Sequence, residues 1–336
     1  MMAQTFPATS FNRRKFLQIT AAAGGLALAG GLLSPLFLSG KNSAHTAVRT
    51  LMGTRIHLTV VAEESRQGQT AIDATFAAMQ RLIAFFDHRQ QTGPLAALNR
   101  RGFLDQAPPE LVQVLQRAVD FGELTQGAFD VTIKPLLDAR QAGHTDSVDL
   151  RALVDFRQIQ IDGERIRLGI PGGAITLDGI AKGRVIDGGV DTLQQMGFDN
   201  VLVEADGDLR TLGARADGTP WRVGIAHPRQ AAQGEILSVL PVGAQAVATS
   251  GDYMHTFATD YSQHHIIDPR SGRSPVELAS ATVLAATALD ADALGTALMV
   301  LGSQAGLALA ESLPGVEAVL VTKDLQVLQT SGVSLA

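Results

Sequence analysis

At 336 residues, with 46% hydrophobic and 18% charged side chains, the chain has the composition of a globular protein with a sizeable core, not that of a disordered or fibrous one. It contains no cysteine, which excludes thiolate catalysis, disulfides and thiolate-held metals, so any metal must be held by oxygen or imidazole. Beyond residue 41 there are 23 basic and 33 acidic side chains, a balance of −10, which argues against binding a nucleic-acid phosphate backbone.

The first element is a targeting segment. FNRRKFLQI, residues 11–19, carries Arg13, Arg14 and Lys15 and is followed by an uncharged run reaching Gly40. A basic start and an apolar, small-residue-rich run are the parts of an export signal, and adjacent arginines followed by Phe-Leu resemble the twin-arginine class. A run of about 20 apolar residues also suffices for a membrane-anchoring helix. Ala27-Leu28-Ala29 has a small-x-small form but lies inside the run, which leaves both cleavage and retention open. Residues 1–41 are therefore set apart as an export signal or anchor. Either reading places the remainder in the periplasm or on the outer face of the inner membrane, delivered by the twin-arginine machinery.

Residues 48–62 contain the alternation Ile56, Leu58, Val60 and read as a first strand entered through a Met-Gly-Thr turn. Over residues 69–86 the apolar positions Ile72, Phe76, Met79, Ile83 and Phe86 recur at three and four, which predicts an amphipathic helix. Residues 108–123 predict a second helix with Pro109 in its first turn, and residues 141–147 a polar surface loop. Short β-type runs follow at 158–161, 166–170 and 174–177, then a helix over 181–196 stopped by Gly197. VLVEADG, WRVGIAHP, ILSVLPV, AVATSG, HHIIDP and ATVLAATA read as further strands or strand ends, residues 291–302 as a helix, and AVLVTKD with LQVLQTS as a closing hairpin turning at Lys323-Asp324. Strands outnumber helices and mix with them irregularly, so the expected class is α+β with mixed or antiparallel sheets.

Three stretches carry candidate chemistry. ITLDGIAKGRVID, residues 175–187, is a strand, a glycine turn and a helix start; exposed N–H groups, a positive helix end and Lys182 suit a phosphate ester, although a plain strand-to-helix connection has the same form. In residues 289–302, Asp292 and Thr296 share a helix face. That pattern fits an N-cap by Asp290 or Asp292, and equally a carboxylate and hydroxyl pair for Mg²⁺. Residues 249–272 join Thr249-Ser250-Gly251 to three of the eight histidines and to Asp268-Pro269. On a strand only one of His264 and His265 can face a given pocket. Each is a structural histidine or a base. Ser250 lies in no Gly-x-Ser-x-Gly elbow, so serine hydrolysis is set aside.

In order, these segments resemble the ApbE family of flavin transferases, the FAD:protein FMN transferases. The resemblance rests on Met52-Gly53-Thr54, Gly127-Ala128-Phe129-Asp130, the stretch from Thr176 to Gly183, Asp206-Gly207-Asp208, Trp221 to Ile225, Thr249 to Tyr253, His265 to Pro269 and Ala291 to Thr296. It covers nearly everything after residue 48, so residues 48–336 are taken as one transferase domain of T-fold-like architecture. It implies Mg²⁺-dependent transfer of FMN from FAD to a threonine or serine hydroxyl of another protein, a flavoprotein of a membrane or periplasmic redox complex, with release of AMP. It makes His265 the expected general base. It places Met52, Ala128, Phe129, Asp130, Thr176, Asp178, Lys182, Thr249, Ser250, Gly251 and Ile267 at FAD. It gives the metal Asp292 and Thr296 by side chain and Gly179 and Gly295 by backbone carbonyl. The chain departs from many relatives in having Thr176 in place of an aspartate and Asp178 in place of a glycine, and in having LLDARQAGH after Pro135. An FAD pyrophosphatase giving free FMN and AMP, and a non-catalytic FAD-binding protein, are the competing readings.

Overall fold

The computed structural model describes residues 43–90, 92–143 and 149–335. The expected export segment and most of the expected 141–147 loop lie outside them. The frame is an eight-stranded antiparallel sheet in the order β1-β2-β6-β7-β10-β11-β12-β13. Its strands are β1 (Ser43–Leu51), β2 (Thr54–Ala62), β6 (Val201–Ala205), β7 (Asp208–Leu212), β10 (Ala246–Gly251), β11 (Leu278–Ala285), β12 (Glu317–Thr322) and β13 (Val327–Gln329). The expected first strand is the second arm of a hairpin whose turn is Met52-Gly53, both at positive φ. The closing hairpin forms as read.

Helices α1 (Ser65–Phe86), α5 (Ala181–Gln195) and α6 (Ala288–Ser312) contribute to one core with one face of the sheet. Ile56, Leu58 and Val60 pack there with Ile72, Phe76 and Met79, so the period of two on β2 meets the period of 3.6 on α1. The opposite face carries a separate cluster of Leu209, Val247, Leu284 and Val319 against the two-stranded ribbon of β8 (Trp221–Ala226) and β9 (Ile236–Val242). All eight residues of β11 are buried, which accounts for an unbroken apolar run where a one-sided strand would alternate. A small sheet of β3 (Phe103–Leu104), β4 (Ile159–Asp162) and β5 (Arg165–Leu168) is not hydrogen-bonded to the large one but adds Leu104, Ile159 and Ile166 to the same core. The helices α2 (Pro94–Arg101), α3 (Pro109–Leu124) and α4 (Lys134–Gln141) complete the fold, which is α+β as expected.

Two expected strands are absent. Residues 174–177 form none because the Asn99 carboxamide takes a strand's place, donating to the Ile175 carbonyl (2.8 Å) and accepting from the Ile175 N–H (2.7 Å). Residues 264–269 make only isolated bridges; the Ser274 hydroxyl accepts from the His264 N–H at 3.0 Å and donates to the His264 carbonyl at 2.7 Å. In both places a side chain that no local pattern marks satisfies the backbone.

Helix α6 is longer than expected but turns non-helical at Gly302 (φ 78°, ψ −174°). A Cβ there would meet the Glu277 carboxylate at 2.2 Å, and that carboxylate accepts from the Ser303 N–H, restarting the helix. Neither Asp290 nor Asp292 is the N-cap. Thr287 is, accepting from the Asp290 N–H. Asp290 pairs instead with Arg117 at 3.0 Å.

The N-terminal turns of α5 and α6 cap one another. Asp187 of α5 accepts from the Ala288 and Leu289 N–H groups of α6, each at 2.9 Å, and Asp292 of α6 accepts from the Gly183 N–H of α5 at 3.0 Å. Each carboxylate meets orphan donors at a positive helix end. The approach requires glycine at 183, where a Cβ would lie 2.1 Å from the Ala288 carbonyl oxygen.

Asp187→Ala removes both caps and leaves the half-buried Arg210, its partner at 2.9 Å, without that charge. The expected loss is about 3 kcal/mol, read as a fall of several degrees in melting temperature. Asp187→Asn, which keeps one acceptor oxygen, should lose less in the same calorimetric scan.

Candidate functional site

One end of the large sheet gathers the β1–β2 turn at Met52-Gly53, the β6–β7 turn at Asp206-Gly207 and the end of β10 at Thr249-Ser250-Gly251, an arrangement fixed by antiparallel pairing. The first turn of α5 brings Lys182 to this end, where its Nζ lies 2.8 Å from Asp208 Oδ2. Asp208 Oδ1 accepts from the Thr249 N–H at 2.9 Å, so this one buried carboxylate ties α5 to β10. Burial alone would lower the Lys182 pKa, but the carboxylates of Asp208 and Asp292 outweigh it and hold the ammonium above its ordinary range. Asp292 is 5% exposed. Burial, reinforced by the Asp208 charge, pushes its carboxyl up to about 7.

Next to Asp292 the donors are hydroxyls. Thr296 Oγ1 is 3.4 Å from Ser250 Oγ. A Cβ on Gly179 would lie 3.0 Å from Thr296 Oγ1, and one on Gly295 would lie 3.2 Å from Ser250 Oγ, so both glycines sit where a side chain would crowd those hydroxyls. Among the described residues no three His, Asp or Glu side chains form a ligand cluster. What is assembled is an all-oxygen set, Asp292 with Thr296 and Ser250, in surroundings where burial and neighbouring charge disfavour the ionised carboxylate. A hard divalent cation that keeps several of its waters fits such a set, and its charge would favour the ionised form.

The two histidines differ as adjacent strand residues would, although no strand forms. His264 is fully buried, with Nε2 3.0 Å from the Pro275 carbonyl. His265 is partly exposed, stacks edge-on against His255 at 5.2 Å between centroids and places Nδ1 3.3 Å from the His255 carbonyl. A carbonyl only accepts, so Nδ1 carries the proton and Nε2 keeps its lone pair. Burial, together with His255 and His264, lowers the His265 pKa to about 4 against a weaker upward pull from Asp178.

The remaining expected site residues divide. Thr249 Oγ1 bonds Thr282 Oγ1 at 2.8 Å, and Gly251 holds its place because a Cβ would strike the Tyr253 ring at 2.4 Å. Thr176 accepts from the Asp178 N–H. Asp130 has both oxygens engaged, with the Thr132 N–H and hydroxyl and with the Phe156 N–H, so here it works as a local cap. Ala128 and Phe129 are core residues, the latter with its ring edge on Gly179. Ile267 packs with Leu136 and Leu137. Met52 is exposed on its turn, at φ 55°. A cleft of about 540 Å³ opens beside Gly127, Asp130, Phe156, Pro269 and Arg270.

Two acids that lie within the quoted motifs, Asp252 and Asp178, find partners there that no motif marks. Asp252, fully buried, is forked by Arg229 at 2.7 and 2.9 Å, which pins the turn after β10. Asp178 turns to His88 Nε2 (3.4 Å) and to the Arg89 guanidinium (2.9 and 3.2 Å). Burial would raise its pKa, yet His88 and Arg89 bring it down to about 2. A residue pair 89 positions apart leaves no periodicity to read. Asp208 could have been found in its turn motif; His88 and Arg89 could not.

The family model described as "ApbE family" matches residues 52–320. A Vibrio cholerae FAD:protein FMN transferase is 36% identical over 216 residues, which cover 60% of this chain and 64% of that relative. A Treponema pallidum FAD:protein FMN transferase is 30% identical over 319 residues, covering 86% of each. The crystal structure of the ApbE protein from Thermotoga maritima superimposes with a TM-score of 0.78 at 25% identity, over 86% of this chain and 97% of that one.

The folded-state pKa of His265 lies below its unfolded value, so between about 4 and the ordinary 6.5 the unfolded chain binds the extra proton. The stability at stake is fully present above 6.5 and is lost as pH falls toward 4. In an NMR titration the His265 ring should stay neutral from pH 8 to about 5. A midpoint near 6.5 would contradict the burial described.

Proposed function

From the premise that this chain belongs to the ApbE family, we propose that it transfers FMN from FAD to a serine or threonine hydroxyl of another protein, releasing AMP, with Mg²⁺ as the metal. The observation that carries this reading is the oxygen set of buried Asp292 with the half-buried Thr296 and Ser250, beside the Lys182–Asp208 pair. An anionic pyrophosphate is the ligand that such a site suits. Asp292 and Thr296 would hold Mg²⁺ by side chain, with the carbonyls of Gly179 and Gly295 completing the protein's share. Bound there, the ion supplies charge neutralisation on the pyrophosphate.

The chain's own residues do the rest. Lys182 sets a cation at the N-terminal turn of α5, where N–H groups and the helix dipole already favour phosphate oxygens. Unprotonated His265 Nε2 takes the proton of the attacking hydroxyl. Its oxygen forms the new bond to the FMN phosphorus, and the bond from that phosphorus to the AMP oxygen breaks, the electron pair leaving with AMP. Met52, Ala128, Phe129, Asp130, Thr176, Asp178, Thr249, Ser250, Gly251 and Ile267 are assigned to FAD along with Lys182. The acceptor is assigned to a membrane or periplasmic redox complex. Residues 1–41 are assigned to twin-arginine export, with residues 48–336 as the transferase domain on the outer side of the inner membrane.

One incubation with FAD, Mg²⁺ and a candidate acceptor separates the readings: covalent FMN on the acceptor supports transfer, free FMN with AMP a pyrophosphatase, and intact FAD a binding protein. His265→Ala should bind FAD but transfer about 10²- to 10⁴-fold more slowly, whereas His264→Ala should act through stability. Asp292→Asn keeps an acceptor for the Gly183 N–H and removes the charge, so transfer should collapse with little change in melting temperature; full activity at limiting Mg²⁺ would refute the metal assignment. Replacing Arg13 and Arg14 with lysine should block delivery across the membrane, scored by fractionation, without altering FAD binding.

A further inference from the structure

The Asp178 carboxylate stands immediately before Gly179, whose backbone faces the Thr296 hydroxyl, in the loop that leads into α5. Its own oxygens are committed elsewhere. Arg89 forks onto it through Nη1 to Oδ1 at 3.2 Å and Nη2 to Oδ2 at 2.9 Å, and His88 Nε2 approaches Oδ2 at 3.4 Å. The loop that presents these two groups follows α1 and is turned by Asp87, whose Oδ1 accepts from the Arg89 N–H at 2.9 Å. The loop they hold, residues 176–180, pairs with no strand among the described residues. Asn99 and the Val131 carbonyl fix its start, the latter accepting from the Thr176 N–H at 2.9 Å. α5 takes over at Ala181. The apex between these ends carries Asp178 and Gly179, and Gly179 is the residue whose Cα faces the Thr296 hydroxyl and the Phe129 ring.

We propose that Arg89, with His88 beside it, is a positioning residue for the metal end of the site: through the Asp178 carboxylate it holds the Gly179 backbone at a set distance from Thr296. This rests on the reading of Asp292 and Thr296 as metal ligands. A guanidinium fork suits the task because two parallel N–H···O bonds fix the carboxylate in orientation as well as in place. The pair is a poor stability device, since Arg89 is 65% exposed and exposed ion pairs contribute little. Its effect should be felt where geometry is demanding. Mg²⁺ requires a near-ideal octahedron at about 2.1 Å, and groups that orient its ligands typically govern affinity by about 10- to 100-fold.

The test uses the purified full chain and reads FAD binding by flavin fluorescence while Mg²⁺ is titrated, alongside the ligand-free melting temperature. Arg89→Ala and Asp178→Asn should each raise the Mg²⁺ concentration for half-maximal tightening of FAD by about tenfold. In Arg89→Ala, a residue outside the FAD and metal sets, metal-free FAD affinity should stay within a few-fold, and the melting temperature within about 2 °C. The double variant should be no worse than Arg89→Ala, because the two act as one unit, and Arg89→Lys, which keeps the charge but loses the fork, should fall between. An unshifted Mg²⁺ midpoint in Arg89→Ala, or an equal loss of FAD affinity with and without Mg²⁺, overturns the inference while leaving the metal reading intact. A parent chain whose FAD binding ignores Mg²⁺ refutes the metal reading, and the inference with it.

Discussion

The reciprocal capping of α5 and α6 is the interaction on which the rest of the site depends. Asp187 reaches across to two N–H groups of α6 while Asp292 reaches back to one of α5, so the two N-terminal turns are held against each other from both sides. Gly183 permits the approach, and Arg210 fastens the same joint to β7 through Asp187. The carboxylate that caps α5 is also the one pushed up to about 7 by burial and by Asp208. A structural contact thus places an under-compensated charge next to two hydroxyls. The same geometry aims the first turn of α5, with Lys182, at the end of the sheet.

Charge at this site is arranged as a near balance with the surplus on the acidic side. Lys182 answers Asp208, and Arg89 with His88 answers Asp178. Among the described residues Asp292 has one backbone hydrogen bond and no cation within salt-bridge distance, although the Lys182 charge acts on it. Low-dielectric surroundings magnify that imbalance, which is why an oxygen-ligated divalent cation is the physically economical complement. The histidines reflect the same environment with the opposite sign. Burial disfavours their charged forms, so His265 is neutral where a free imidazole would begin to protonate, and its tautomer is set by the His255 carbonyl.

Much of this was legible in the chain. The α+β class, helix α1 from its spacing of three and four, α5 with its stop at Gly197, and the closing hairpin follow from local periodicity and turn chemistry, which act within a dozen residues. The resemblance carried by segments from Met52 to Thr296 pointed to the family before any contact was known. Residues 174–177 and 264–269 mislead because apolar β-branched residues mark burial, and burial can be reached without strand pairing when Asn99 or Ser274 supplies the backbone partners. Likewise Asp292 reads as a cap of its own helix, and it is a cap, but of α5.

By itself the sequence determined the secondary structure that periodicity encodes, the absence of thiol chemistry, and the residue types from which a phosphate and metal site is made. Only the tertiary structure decided which acid faces which cation. Asp208 meets Lys182, Asp187 meets the α6 N-terminus, and Asp178 meets Arg89 across separations of 26, 101 and 89 residues. No local pattern records such pairs, because each is fixed by how the strands order in the sheet and how closely two helix ends approach. The division between His264 and His265 has the same cause. Neighbours in sequence, they differ because one lies under the Pro275 carbonyl and the other beside His255, and folding alone brings those partners to them.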